Sequence, residues 1–412
     1  MSTIKPKCYA PFYNVYLRSS SRETKVCCMS TQSHTLESNA MSEVFNNPLA
    51  QDIRATVLRG EYHSACSECA QREDQGLHSD RDMYDDWHRE AEKHTDLNPL
   101  DTHMPYPIWA DIRPSNLCNL KCRMCFPDNS TEIAREEAKM PHELRPNRNT
   151  DQELAVLSQR KHYELPRLNN VINLKLLGGE PTVQEEVFDI LKNTEYHPNA
   201  LLQVTTNASS VTQYKKILPL IKKFAMVKWN ISIDGTGDVY EYVRTPSKWS
   251  RFKEAVDYLS TTEAGRLSTI ISFNYCIQMW NYTNTPDVLK YCEDIEHSIH
   301  DRIVESNDGS IYTRPATKIK YGGVHMNTVS QPHLSIKLVN KSIKDDVLAR
   351  ARELGINKTN YTNLKRVSRT TIHDPELVAE FRKHTKILDK VRNTDFATID
   401  PTLMTHLRTV TH

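Results

Sequence analysis

The chain has 412 residues, enough for two or three domains and a sizeable core. Its 53 basic and 52 acidic residues leave a formal charge of +1, so the balance demands neither a nucleic acid nor an anionic membrane as partner. No apolar run reaches the roughly 18 residues of a membrane span, and Met1 to Cys8 lacks the apolar core of a signal peptide. A cytoplasmic protein is expected, and in that reducing compartment its ten cysteines are expected as metal ligands or free thiols rather than disulfides.

From the N-terminus, KCYAPFYNVYL, Lys7 to Leu17, reads as a strand, SSSRET from Ser19 as a turn, and KVCC, ending at Cys28, as the return of a hairpin. The pair Cys66 and Cys69 follows with C-x2-C spacing. Cys8, one hairpin cysteine and this pair make four thiolates from separate segments, enough to ligate every iron of a cubane. Four cysteines are also a zinc set, and C-x2-C is a zinc signature. Of the adjacent Cys27 and Cys28 only one is needed, and position after the hairpin strand favours Cys27, with Cys28 as its substitute.

The next strand, IWADIR from Ile108, runs into SNLCNLKCRMCFP. There Cys118, Cys122 and Cys125 form a C-x3-C-x2-C triplet. Three thiolates on one loop can hold three irons of a cubane and leave the fourth open to a small molecule. Zinc wants four ligands, usually as two spaced pairs, and no fourth Cys or close His follows.

Five more strands are expected: VINLKLL from Val171, LLQVT from Leu201, VKWNISI from Val227, TIISFNY from Thr269 and DRIVE from Asp301. Helices at about 130–139, 183–194, 211–224, 249–263 and 284–298 separate them, which is the alternation of βα units and a parallel sheet. The polar stretch 140–170 reads either as the lining of a substrate entrance or as a surface loop leading into a helix.

In such sheets ligands gather at the C-terminal strand ends. The second strand ends in Gly178, Gly179, Glu180 and Pro181, where two glycines permit close backbone approach and Glu180 offers a carboxylate to an ammonium group. Alone, that run is an ordinary turn. The third ends in TTNAS, whose Thr206 and Asn207 suit either a ribose or the cap of the next helix. The fourth ends in SIDG, Ser232 to Gly235, followed by DVYEYVR up to Arg244; Asp234 also suits the start of a turn. The fifth exits through Gln278 and Asn281. Cys276 and Cys292 read as small buried hydrophobes.

Beyond residue 305, GGVH from Gly322 and SQPHLSIKL from Ser330 suggest short extended pieces, and 342–355 and 374–391 read as helices. Lys365, Arg366 and Arg369 are interleaved with acidic residues, a solvated face rather than a nucleic-acid surface.

The triplet, with Met124 at the apolar position before its last cysteine and Phe126 just after it, resembles the signature of radical S-adenosylmethionine enzymes. GGEP at the next strand end and SIDG followed by EYVR two strands later are similar to that family's further motifs. The resemblance spans roughly residues 1–300. It implies an α/β fold with a partial (β/α)6 TIM-type barrel over 105–305 and a small auxiliary-cluster domain over 1–104; from their own helical spacing, residues 306–412 read as a mostly helical C-terminal extension that closes or extends the barrel. It further implies a [4Fe-4S] cluster on Cys118, Cys122 and Cys125 that binds S-adenosylmethionine, flanked by Met124 and Phe126. The amino group would meet Gly178, Gly179, Glu180 and Pro181; Thr206, Asn207 and Ser232 would lie towards the ribose, Arg244 at the carboxylate, Gln278 and Asn281 at the adenosine, and Asp234 also within the cofactor site.

Cys8, Cys27, Cys66 and Cys69 resemble the auxiliary-cluster module called SPASM or twitch, although that module usually follows the barrel. The implied chemistry is reductive cleavage of S-adenosylmethionine with an electron from a donor such as flavodoxin or ferredoxin. The resulting 5'-deoxyadenosyl radical would take hydrogen from a peptide or protein, with the auxiliary [4Fe-4S] cluster relaying an electron. The alternatives are a small-molecule or nucleotide substrate, or a non-catalytic iron-sulfur or zinc protein. No residue announces itself as a catalytic acid, base or hydrogen donor; Tyr240, Tyr242, Asp234 and Cys276 lie near the expected site without distinctive spacing.

Overall fold

The computed structural model describes residues 6–18, 21–74, 79–92, 100–159, 165–169, 171–261, 269–305 and 319–409. Its strands are β1 Asn14–Arg18, β2 Glu23–Lys25, β3 His34–Thr35, β4 Trp109–Arg113, β5 Val171–Leu176, β6 Tyr196–Thr206, β7 Met226–Ser232, β8 Thr269–Ile277 and β9 Ile319–Thr328. The chain divides into two units that alternate along the sequence. One comprises 1–117, 160–204 and 219–227; the other comprises 118–159, 205–218 and 228–412.

In the first unit the strand order is β3-β2-β1-β4-β5-β6. The β1–β4, β4–β5 and β5–β6 pairs are parallel, and β2 and β3 add antiparallel at the edge. Register sorts the side chains by face, because paired positions point the same way. One face carries Ala110 with Leu174 and Leu202, and Ile112 with Leu176 and Val204, all buried. The other carries Tyr16, Asp111, Lys175 and Gln203 side by side across four strands.

The N-terminal stretch departs from the expected strand. Residues Ala10–Tyr13 form a helical turn with Pro11 in its first turn, and β1 begins only at Asn14. A proline presets helical φ at that position, which outweighs the strand preference of the aromatic residues around it. Arg54, fully buried on the helix Pro48–Leu58, donates to the carbonyls of Pro11, Phe45 and Thr102, each at 2.8 Å, and so ties three segments of this unit together.

In the second unit the order is β7-β8-β9, with β8 and β9 parallel. The predicted sixth strand, Asp301 to Glu305, is instead the last turn of the helix Thr285–Glu305. A formed helix gains one hydrogen bond for each residue added, so a five-residue charged run continues it despite its two β-branched residues. The sixth strand is β9, which contains the GGVH run. SQPHLSIKL folds as two 3-10 turns, Pro332–Leu334 and Ile336–Leu338, rather than as extended pieces. Helices Lys341–Glu353, Lys358–Val367, Pro375–Arg392 and Pro401–Thr409 follow.

In both units parallel strands alternate with helices, so the class is the mixed α/β one expected. Among the described residues no helix is long and apolar enough to cross a membrane.

Candidate functional site

The cysteine loop of the second unit has little regular structure of its own, so its shape depends on neighbours. Asn119, beside Cys118, donates to Ser209 Oγ at 2.8 Å and accepts from Asn207 Nδ2 at 2.9 Å. The TTNAS run thus braces the loop. Thr206 is engaged with the Tyr214 hydroxyl at 3.1 Å. On the far side, Lys121 N–H donates to the Thr245 carbonyl at 2.6 Å and Arg123 N–H to the Val243 carbonyl at 2.9 Å. Gln331 Nε2 donates to the Met124 carbonyl at 3.0 Å. Met124 and Phe126 are half-buried on either side of Cys125.

Cys122 and Cys125 share their surroundings with Asp234, Arg244 and Cys276. Burial pushes both loop thiols up, Cys125 to about 12 with the Cys122 sulfur adding to the shift. Asp234 and Arg244 are buried and ion-paired, and the Cys276 N–H donates to Asp234 Oδ1 at 2.9 Å. From its apolar strand, Cys276 reads as a buried filler. The structure leaves it half-buried beside a charged pair, while Cys292 is fully buried as expected.

Asn281 directs its amide into the fold: Nδ2 donates to the carbonyls of Asp234 and Cys276 at 3.2 and 2.9 Å, and Oδ1 accepts from Gln278 N–H at 2.9 Å. Gln278 differs. Its side chain is completely buried, and neither its Oε1 nor its Nε2 has a hydrogen-bond partner among the described residues. A buried amide left unpaired costs about 1–3 kcal/mol, which a ligand's polar edge would recover. Ser232 ends β7 half-buried.

In the first unit, Gly179 N–H donates to the Ser115 carbonyl at 3.0 Å and Glu180 N–H to the Leu117 carbonyl at 2.9 Å. A Cβ on Gly178 would lie 2.6 Å from the Ser115 oxygen, and one on Gly179 would lie 2.1 Å from the Leu117 oxygen. The two glycines are therefore required by the backbone that enters the cysteine loop. Glu180 is buried, and its Oε1 accepts from the Thr182 hydroxyl at 2.6 Å within the turn that Pro181 begins.

The N-terminal thiols gather in the same unit. Cys8 lies within electrostatic reach of Cys66 and Cys69, and Cys27 within reach of Cys8 and Cys66. Burial raises all four, Cys66 to about 11. Cys28 faces elsewhere. After burial, its main influences are Lys175, Asp111, Asp80 and Arg113. Asp111 sits 3.3 Å from Lys175 and 3.7 Å from Arg113. Among the described residues all the cysteines are free, and no group of three or more His, Cys, Asp or Glu is drawn together around a single ion position.

Sequence reasoning missed Asn119, Arg123, Gln331 and the charged face of Asp111, Arg113 and Lys175. The last had a signal, the period-2 alternation of charged and apolar residues in WADIR and NLKL.

The family model of the Radical SAM superfamily matches residues 112–271. Among curated proteins, a probable GTP 3',8-cyclase of Thermoplasma volcanium is 24% identical over 193 residues, 46% of this chain and 51% of that protein. A GTP 3',8-cyclase of Alkaliphilus metalliredigens is 27% identical over 125 residues, 30% of this chain and 33% of that protein. The chain thus matches about half of one of these relatives and a third of the other. Among solved structures, Streptococcus suis SuiB bound to S-adenosylmethionine aligns with 66% of this chain and 65% of that one at 13% identity and a TM-score of 0.28. SuiB bound to the precursor peptide SuiA aligns with 63% and 62% at 16% identity and a TM-score of 0.27.

Proposed function

We propose, from the premise that this chain belongs to the radical SAM superfamily through its domain at residues 112–271, that it cleaves S-adenosylmethionine reductively and uses the product radical to take hydrogen from a substrate. The observation that carries the reading is the placement of Cys122 and Cys125 beside the buried Arg244–Asp234 pair. Three loop thiols, a guanidinium and an unpartnered buried amide at Gln278 fit a three-cysteine cluster with S-adenosylmethionine as its ligand. A [4Fe-4S] cluster on Cys118, Cys122 and Cys125 would supply an open iron for S-adenosylmethionine and the electron that splits its sulfonium to a 5'-deoxyadenosyl radical.

The chain's own residues bind and orient. Asp234 fixes the Arg244 guanidinium, which is suited to a two-pronged contact with a carboxylate. Gln278 offers a donor and an acceptor to the adenosine edge. Gly178, Gly179 and Glu180 are assigned to the amino group on the motif resemblance, and Ser232 to the ribose. An external donor such as flavodoxin or ferredoxin provides the electron.

Cys8, Cys27, Cys66 and Cys69 we assign to an auxiliary [4Fe-4S] cluster of the SPASM or twitch kind, ligated wholly by protein and relaying an electron from the substrate. The pairwise electrostatic influence among these thiols, Cys8 with Cys66 and Cys69 and Cys27 with Cys8 and Cys66, supports that assignment. A peptide or protein substrate follows from the likeness to that module. A nucleotide is the second reading, favoured by the two GTP 3',8-cyclase relatives.

The test is anaerobic reconstitution followed by dithionite and S-adenosylmethionine. Formation of 5'-deoxyadenosine is expected, and its absence with an intact cluster would sink the reading. Stimulation of that product by a peptide or by GTP separates the two substrate classes.

A further inference from the structure

Arg123 lies inside the C-x3-C-x2-C run, between Cys122 and Met124, yet its side chain is fully buried and turned away from solvent. Its guanidinium donates through Nη2 to Asp389 Oδ1 at 2.8 Å and to the Thr394 hydroxyl at 2.7 Å. Its Nε donates to the Tyr242 carbonyl at 3.0 Å, and the Tyr242 ring lies 3.5 Å from the guanidinium carbon. Asp389 Oδ1 also accepts from the hydroxyls of Tyr242 and Thr394, at 2.9 and 2.8 Å. The helix Pro375–Arg392 ends on Asn393 in the left-handed conformation, which turns Thr394 back onto Asp389. One turn before its end, that helix thus grips the middle of the cysteine loop. A second pair repeats the link: Arg392 binds Glu136 at 2.7 Å, and Glu136 accepts from Lys121 Nζ at 2.7 Å.

A guanidinium is costly to bury, and here the cost is offset by the Asp389 charge and by the bonds at Nε and Nη2, while Nη1 has no partner among the described residues. A loop that needed only to span three cysteines would gain nothing from that cost. Resting on the radical SAM reading above, we propose that the Arg123–Asp389 pair is a positioning clamp: the C-terminal helix holds the loop backbone so that its three thiolates meet one cluster, which makes residues 375–394 part of the cluster site rather than a cap.

The test uses the full-length, anaerobically reconstituted protein. Asp389→Asn keeps the shape and removes the charge; Asp389→Glu restores the charge; Thr394→Val removes the two bonds of the Thr394 hydroxyl, from Arg123 and to Asp389, and leaves the ion pair. The readouts are the rate at which a chelator strips iron and the EPR spectrum of the reduced cluster, with folding followed by circular dichroism. Loss of an outer partner typically costs 10–100-fold in metal affinity. Asp389→Asn should therefore lose iron about 10–100-fold faster with a broadened cluster signal, Asp389→Glu should recover most of the difference, and Thr394→Val should fall between them.

The triple variant Cys118→Ala, Cys122→Ala, Cys125→Ala sets the background from the N-terminal thiols. Wild-type stripping rates and spectra in both Asp389→Asn and Thr394→Val would overturn the clamp while leaving the cluster reading intact. Equal iron in wild type and the triple variant would overturn both.

Discussion

Cys27 and Cys28 are neighbours in the chain but not in their surroundings. Cys27 sits among the thiols of Cys8 and Cys66, whereas Cys28 faces Lys175, Asp111, Asp80 and Arg113 and donates weakly to Asp80 Oδ2 at 3.9 Å. Both follow the end of β2 at Lys25, in a bend and a turn that carry the two side chains into different surroundings, so Cys27 and not Cys28 shares the thiol group. Cys27→Ser should cost the reconstituted protein about half its iron, the share of one of two four-iron clusters. Cys28→Ala should keep the full complement. Iron and sulfide analysis of the two variants decides the matter, and equal loss in both would place the auxiliary site elsewhere.

The Arg244–Asp234 pair gives a prediction with two readouts. Arg244→Lys keeps the charge and loses the planar fork. If Arg244 meets the S-adenosylmethionine carboxylate, kcat/KM for that substrate should fall about 10–100-fold, the worth of one charge-assisted hydrogen bond. Asp234→Asn instead leaves a buried guanidinium with no anionic partner and should destabilise the fold by about 3 kcal/mol, seen as a lower Tm. An Arg244→Lys enzyme with unchanged kinetics would remove Arg244 from the binding site.

Much of the fold was legible because its strands are short β-rich runs in which apolar residues alternate with polar ones, which single out β4, β5, β7 and β8. The errors occur where one local preference competes with another. Proline at position 11 starts a helical turn in what reads as a strand, and Asp301 to Glu305 is absorbed by the helix that precedes it. For the candidate site, sequence located the thiols by spacing but not the contacts that shape their loop. Arg123 and Asp389 lie 266 residues apart, and no periodicity connects them. Asn281 illustrates the converse: a polar residue at a strand exit reads as a ligand contact, yet the fold directs its amide to backbone.

The GGEP turn separates steric need from conformational need. Gly179→Ala places a Cβ 2.1 Å from the Leu117 carbonyl oxygen, so backbone must shift, at a cost of about 1–3 kcal/mol. Gly237→Ala is the matched control: φ is +53° there and nothing lies within 4 Å, so only the left-handed penalty of about 1 kcal/mol applies. Denaturant midpoints of the two variants should therefore differ. Gly179→Ala should also loosen the segment from Ser115 to Leu117, detectable as faster amide exchange at Gly179 and Glu180.

A pH effect follows from His384. Its Nδ1 lies 2.8 Å from His333 Nε2, the Trp280 ring packs edge-on at 5.2 Å, and Glu380 faces His333 at 3.7 Å. Burial, with His333, Arg123 and Arg392 nearby, pushes His384 down to about 3. In the unfolded chain it titrates near the ordinary value of about 6.5. The folded-state value is depressed, so the unfolded chain binds the extra proton, and the stability this histidine contributes is fully present above about pH 6.5 and lost as pH falls towards 3. The slope for one proton is about 1.4 kcal/mol per pH unit. His384→Gln removes the titrating group, so its unfolding free energy should fall less steeply than that of wild type between about pH 6.5 and pH 4, with the two curves parallel above that range. Urea unfolding at a series of pH values measures the difference, and parallel curves throughout would show that His384 takes up its proton equally in the folded and unfolded chain.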